Sequence, residues 1–125
     1  MDERELYEKG MKIRREVLGS DHVDRAVQTG SDFAAPFQDL ITRYAWGEVW
    51  SRPGLGRHTR SLLTLAMTVA LNREEEFRLH LRAALTNGVT REEIQEVLLH
   101  SAIYCGVPAA NHAFKVAAEV LAEPR

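Results

Sequence analysis

From Glu3 to Leu121 the apolar residues recur at helical spacing, and no run alternates with the period of a strand. A chain patterned this way has no alternating face on which to build a sheet, so the predicted fold class is all-α. Leu6, Met11, Ile13 and Val17 anchor a first helix over Glu3–Val17, which Gly19 ends. Ser20 or Asp21 caps a short second helix through Val27, and Gly30-Ser31-Asp32 breaks the chain again. A third helix is predicted over Phe33–Gly47, with Pro36 in its first turn, where a missing N–H does no harm. The stretch from Trp46 to Gly56, with two tryptophans and a Pro-Gly turn, reads as a structured loop.

Leu62 to Leu71 is apolar almost all round and reads as a central buried helix. Asn72 is expected to stop it and to cap the next helix, with Glu75 in capping-box register. That helix runs to about Thr86, where Asn87-Gly88 supplies a left-handed stop. Thr90-Arg91-Glu92-Glu93 is a second capping box, opening a helix from Arg91 to about Tyr104. Gly106-Val107-Pro108 breaks the chain, and Pro108 starts a last helix ending near Leu121. The sum is six or seven helices, and 125 residues are expected to form one domain spanning 1–125.

Charge and cysteine content narrow the function classes. Net charge is −2, and no Lys/Arg-rich face carries interleaved aromatics, so no nucleic-acid partner is expected. The apolar run Leu62–Leu71 is about half the length of a membrane span. The opening Met-Asp-Glu-Arg-Glu has no apolar region behind it to act as a secretion signal. The expectation is therefore a cytoplasmic protein with no membrane partner. Cys105 is the single cysteine, which excludes an internal disulfide and any CxxC redox or zinc motif.

The chemistry-bearing residues gather in mid-chain. Arg73, Glu76 and His80 stand at i, i+3 and i+7, so they line one helical face beside apolar Phe77 and Ala84. A cation, a carboxylate and an imidazole there suit binding an acid and moving a proton. Glu76 and His80 also have a two-ligand metal spacing, but no third ligand follows at helical spacing, so no metal site is expected. Arg52, Arg57, Arg60 and Arg73 cluster around the Trp-Pro-Gly loop and the helix pair after it, a density that suits an anionic substrate. Of the other histidines, His22 is expected exposed, His58 and His112 are ambiguous, and His100 is expected in the core or at a subunit contact. Cys105 reads as a small buried hydrophobe.

The runs Val49-Trp50-Ser51-Arg52-Pro53-Gly54-Leu55, Arg60-Ser61-Leu62-Leu63-Thr64-Leu65, His80 through Thr90, Glu93 through His100 and Tyr104-Cys105-Gly106-Val107-Pro108 together resemble the carboxymuconolactone decarboxylases. Each run alone is weak, but their order and spacing cover nearly the whole chain. The resemblance implies the alkylhydroperoxidase D-like helical fold. Redox members of that superfamily carry a glutamate, a CxxC pair and a histidine. Those places fall here on Ser61, Arg73, Glu76 and His80, of which only the histidine is kept. Thiol peroxidase chemistry needs a thiolate and a resolving thiol, so the resemblance argues for decarboxylation instead.

By the same resemblance, the expected reaction converts 4-carboxymuconolactone to the β-ketoadipate enol-lactone in protocatechuate catabolism. No cofactor is implied, because the lactone already contains an electron sink. His80 is the expected proton donor with Glu76 orienting it, although Glu76 itself would serve if burial raised its pKa. Arg73 or His80 would stabilise the oxyanion. Arg52 with Arg57 or Arg60 would hold the carboxylates of this small dicarboxylate lactone, and Trp50 and Phe77 would wall the departing group. The resemblance also implies a homo-oligomer, a hexamer with a trimeric core or else a trimer. Two further readings are a related lactone or keto-acid decarboxylase or isomerase, and a non-catalytic helical oligomer.

Overall fold

The computed structural model describes residues 1–124, which are helical throughout their ordered elements, with no strand among them. The helices fall into two compact units, one of residues 1–56 and one beginning at Arg57.

In the first unit, Asp2 starts α1 (Glu3–Leu18) by accepting the Glu5 N–H at 2.8 Å, and Glu3 and Glu5 add negative charge to the first turn. Gly19, at φ 94°, turns the chain into α2 (Ser20–Thr29) with a backbone conformation that disfavours any side chain. The predicted third helix is split in two. An α-helix, α3, spans Ala35–Ile41, and Thr42–Val49 continues as a π-helical segment. The wider turn shows in its hydrogen bonds: the Thr42 hydroxyl donates to the Gln38 carbonyl at 2.7 Å, and the Trp50 N–H reaches back five residues to Ala45 at 2.9 Å. Trp46 and Trp50 stack with ring centroids 4.9 Å apart, so the first part of the expected loop is helical instead. The α1 helix packs on this segment and on α2, burying Gly10, Ile13, Arg14 and Val17.

The second unit holds α4 (Arg57–Ala70), α5 (Glu74–Thr86), α6 (Arg91–Cys105) and α7 (Val107–Leu121). Leu65 and Val69 from α4 meet Phe77, Leu81 and Ala84 from α5, Ile94 and Leu98 from α6, and Val116 and Val120 from α7. Each helix contributes residues three or four apart, the spacing that makes one continuous apolar stripe. The Thr90 capping box forms as expected, with Thr90 Oγ1 accepting from Glu93 N–H at 3.1 Å and Glu93 Oε1 from Thr90 N–H at 2.8 Å. Gly88, at φ 93°, supplies the left-handed turn before it.

Two further expectations need correction. The α4 helix is not buried all round: Met67 and Leu71 are 58% and 63% exposed, because its helical neighbours in this unit cover only the Leu65–Val69 side. Asn72 is not the cap of α5 either. It takes φ 58°, the left-handed region that asparagine tolerates, and Arg73 becomes the N-cap residue without a side-chain cap bond.

Candidate active site

The α4–α5 corner sets the stage. With Asn72 turned left-handed, the Arg73 N–H bonds the Thr68 carbonyl at 2.9 Å and Phe77 N–H bonds the Arg73 carbonyl at 2.9 Å. Arg73 therefore precedes α5 as its cap residue, and Glu76 and His80 follow one turn apart on the helix. Glu76 is exposed, His80 is half-buried, and Phe77 between them is buried in the core. The expected three-residue face is thus a two-residue face with a cationic residue at the helix mouth. The three Glu residues of the first turn, Glu74 to Glu76, sit where the helix dipole favours negative charge.

Arg73 and Phe77 share a recess with Thr68, Asn72, Glu74 and His112, and Glu76 and His80 are not in its lining. Its free volume is about 10 Å³, room for about one water. At its edge the His112 Nε2 and Glu74 Oε1 lie 2.7 Å apart, while Arg78 Nε donates to the same carboxylate at 3.2 Å. Arg78 also reaches Glu119 at 2.7 Å, so α5 and α7 are stitched by charge beside the recess. The His112 bond first, then Arg78, holds the Glu74 carboxyl below its ordinary range. His112 and Glu74 are 38 residues apart in sequence, and no local pattern announces their pairing.

The arginines expected to hold a substrate occupy different surroundings. Arg57 and Arg60 stand half-buried in the first turn of α4. Beside them His58 Nε2 lies 2.8 Å from Glu93 Oε2, joining the first turns of α4 and α6. The Thr90 N–H and then His58 hold the Glu93 carboxyl below its ordinary range. In the first unit Arg52 is exposed and its Nη1 donates to Glu48 at 3.1 Å, an i,i+4 surface pair worth under about 1 kcal/mol. Trp50 is half-buried against Trp46.

The remaining histidines and the cysteine depart in part from expectation. His22 is half-buried, not exposed. His100 is exposed and lies against Tyr104 with centroids 4.9 Å apart, so it is not in the core of this chain: on α6 the core-facing positions are Ile94, Leu98 and Ser101, which put His100 on another side. Cys105 is half-buried. Among the described residues no three His, Cys, Asp or Glu side chains gather as a metal would need, and no helix is long and apolar enough to cross a membrane.

Glu74 and Glu93 carry a pH prediction. Each has a folded-state pKa below the unfolded value of about 4.3, so each favours the folded state above that pH. That contribution is lost as pH falls through the lowered values. Urea midpoints measured against pH should therefore drop below about pH 4, and the double variant Glu74→Gln/Glu93→Gln should show a slightly shallower acid limb. An unchanged limb in that variant would mean that neither ion pair holds in solution.

Comparison with known proteins gives the arrangement its context. Residues 35–119 match the Carboxymuconolactone decarboxylase family. The chain is 52% identical over 120 residues to a 4-carboxymuconolactone decarboxylase of Acinetobacter baylyi, a match spanning 96% of this chain and 90% of that protein. It is 48% identical over 113 residues to a nitrosuccinic acid decarboxylase of Metarhizium robertsii, covering 90% of this chain and 79% of that one. It is also 50% identical over 48 residues to a 4-carboxymuconolactone decarboxylase of Pseudomonas putida, covering 38% of this chain and 100% of that sequence. Arg73, Glu76, Phe77 and His80 all lie within the matched family region. With that region covering more than half of its length, the chain belongs to the carboxymuconolactone decarboxylase family.

Proposed function

We propose that this chain decarboxylates 4-carboxymuconolactone to the β-ketoadipate enol-lactone, a step of protocatechuate breakdown, without a cofactor. The observation that carries this reading is the 52% identity, over nearly the whole of both chains, to a protein of that name. The substitution of Arg73 and Glu76 for a redox cysteine pair, with His80 kept, supports acid–base chemistry over thiol chemistry.

The reaction needs little from the protein beyond placement and charge. The bond from the ring carbon to its carboxylate breaks, and CO₂ leaves. The electron pair spreads through the ring double bond to the lactone carbonyl, giving a furanolate-like dienolate. A proton then adds at the carbon next to that carbonyl, so substrate and one proton become product and CO₂. We assign the proton to His80, with Glu76 one turn away orienting the imidazole. Arg73, at the mouth of α5, is assigned to the developing oxyanion, where the helix N-terminus adds partial positive charge. Arg52, Arg57 and Arg60 are assigned to the carboxylates, and Trp50 and Phe77 to the less polar wall near the departing group.

The nitrosuccinic acid decarboxylase relative favours a neighbouring reading. Nitrosuccinic acid and 4-carboxymuconolactone share a succinate skeleton in which the carbon losing CO₂ also carries an electron sink. A site that grips a succinate and protonates a delocalised anion would serve both.

The recess beside Arg73 has room for about one water, too little for a lactone without further walls. The exposed apolar residues Leu99, Ile103, Tyr104 and Val107, together with Met67 and Leu71, support burial of this surface between copies of the chain. We infer a cytoplasmic homo-oligomer, a hexamer with a trimeric core, in which residues 1–125 act as one domain and a neighbour completes the pocket.

The test is a spectrophotometric assay with freshly generated 4-carboxymuconolactone and no added cofactor, run before and after chelator treatment, with nitrosuccinate as a second substrate. Turnover of the lactone in both samples is expected. Folded protein that leaves the lactone untouched would overturn the reading, and turnover of nitrosuccinate alone would replace it by the neighbouring one.

A further inference from the structure

The first unit contains a buried cation without an acid. Arg14, on the packed face of α1, is only 6% exposed. Its Nη1 donates to Thr42 Oγ1 at 3.3 Å and its Nη2 to Gln38 Oε1 at 3.0 Å, both neutral acceptors. Its Nε is buried and has no hydrogen-bond partner. Other arginines nearby are matched to carboxylates: Arg15 to Asp24 at 2.6 Å, and Arg43 to Asp39 at 3.1 Å. Asp39 lines the same cavity as Arg14 but is committed to Arg43, and Asp32 at its rim is exposed.

Arg14 borders a cavity of about 360 Å³, within the range of small-molecule sites. Tyr7, Gln38 and Thr42 give it polar edges, and Met11, Ala26 and Val27 give it apolar walls. His22, on the neighbouring α2, is held below its ordinary pKa by burial first and then by the nearby charges of Arg14 and Arg25. A buried guanidinium is costly unless paired, and its fork matches a carboxylate in two parallel bonds.

We propose that Arg14 anchors a carboxylate-binding site in the first unit, built for a small carboxylic acid with an apolar body and using none of the residues assigned to decarboxylation. A carboxylate is the chemistry required, and it arrives either on a free acid or on an Asp or Glu of a second copy of the chain. The cavity volume favours the free acid, since a side-chain carboxylate alone would leave most of it empty.

Titration of the full chain with benzoate, using uncharged benzamide as control, tests this by calorimetry and by the Nε–H resonances of the arginines. Saturable benzoate binding is expected, with a shift of the Arg14 Nε–H signal and no response to benzamide. In Arg14→Met the affinity should fall by at least about tenfold, the scale of one lost charge-assisted contact, while lactone turnover is retained. Light scattering separates the two sources. A wild type that ignores benzoate but loses mass as Arg14→Met takes its carboxylate from a second copy, which also sustains the site. Benzoate binding that survives in Arg14→Met overturns the proposal. So does a wild type with no benzoate response and no change of mass in the variant. If Arg14→Met fails to fold, an Arg14 Nε–H signal that stays unmoved at saturating benzoate overturns the proposal as well.

Discussion

Gly10→Ala should destabilise the first unit by about 3 kcal/mol or more, the upper end of overpacking penalties. A Cβ at position 10 would lie 1.8 Å from the Thr42 carbonyl oxygen, 2.8 Å from its carbon and 2.9 Å from the Gly47 nitrogen. All three are backbone atoms, so no side-chain rotation relieves the clash. The contact is reciprocal, since a Cβ at Gly47 would lie 2.6 Å from the Leu6 carbonyl oxygen. Alanine is the better helix former by about 1 kcal/mol, so the sign of the change reports which effect wins. Loss of that size predicts a lower urea midpoint for Gly10→Ala and for Gly47→Ala alike. A Gly10→Ala protein as stable as the wild type would mean that α1 and the π-helical segment are not in backbone contact in solution.

The helices are legible in the sequence because their signals are local. Thr90 and Glu93 are three residues apart, and the capping box they predict forms with both hydrogen bonds. Gly19 and Gly88 mark helix ends and take positive φ where the chain turns. The π-helical turn at Thr42–Val49 is not legible, because the expected α-helix and the observed segment share the same apolar pattern. What separates them is the close crossing of Gly10 and Gly47, a tertiary fact. The cap of α5 lies one residue further on for a similar reason: asparagine both caps helices and tolerates the left-handed region, and here the chain uses the second property. The candidate site is legible in composition and not in contact. The Arg73, Glu76 and His80 spacing is readable, whereas the pairing of Glu74 with His112 and of His58 with Glu93 joins distant helices. Arg14 is invisible for a third reason, since a lone arginine on an amphipathic helix looks like any solvated charge until its burial is known.

His80→Ala should lower turnover of 4-carboxymuconolactone by about 10²–10⁴-fold, the usual worth of a positioned general acid. The expectation rests on the balance of the reaction: CO₂ departs without a proton, but the dienolate it leaves must be protonated on carbon, a slower event than protonation on oxygen. The α5 helix is a rigid support for that donor, fixed by Phe77 and Leu81 in the core on either side of His80. Glu76→Gln preserves shape and removes the charge, so it should cost less than the loss of the proton donor itself. The two variants are therefore distinguishable by the size of the rate loss. Near-normal rates in both variants would remove the pair from the mechanism. If instead the rate vanishes in Glu76→Gln and survives in His80→Ala, the carboxyl group is the carbon acid and the imidazole its helper. Arg73→Gln supplies the remaining contrast. A group that serves the oxyanion should lose kcat, because the charge it meets appears only after the carbon–carbon bond begins to break. A group that merely binds substrate should raise KM.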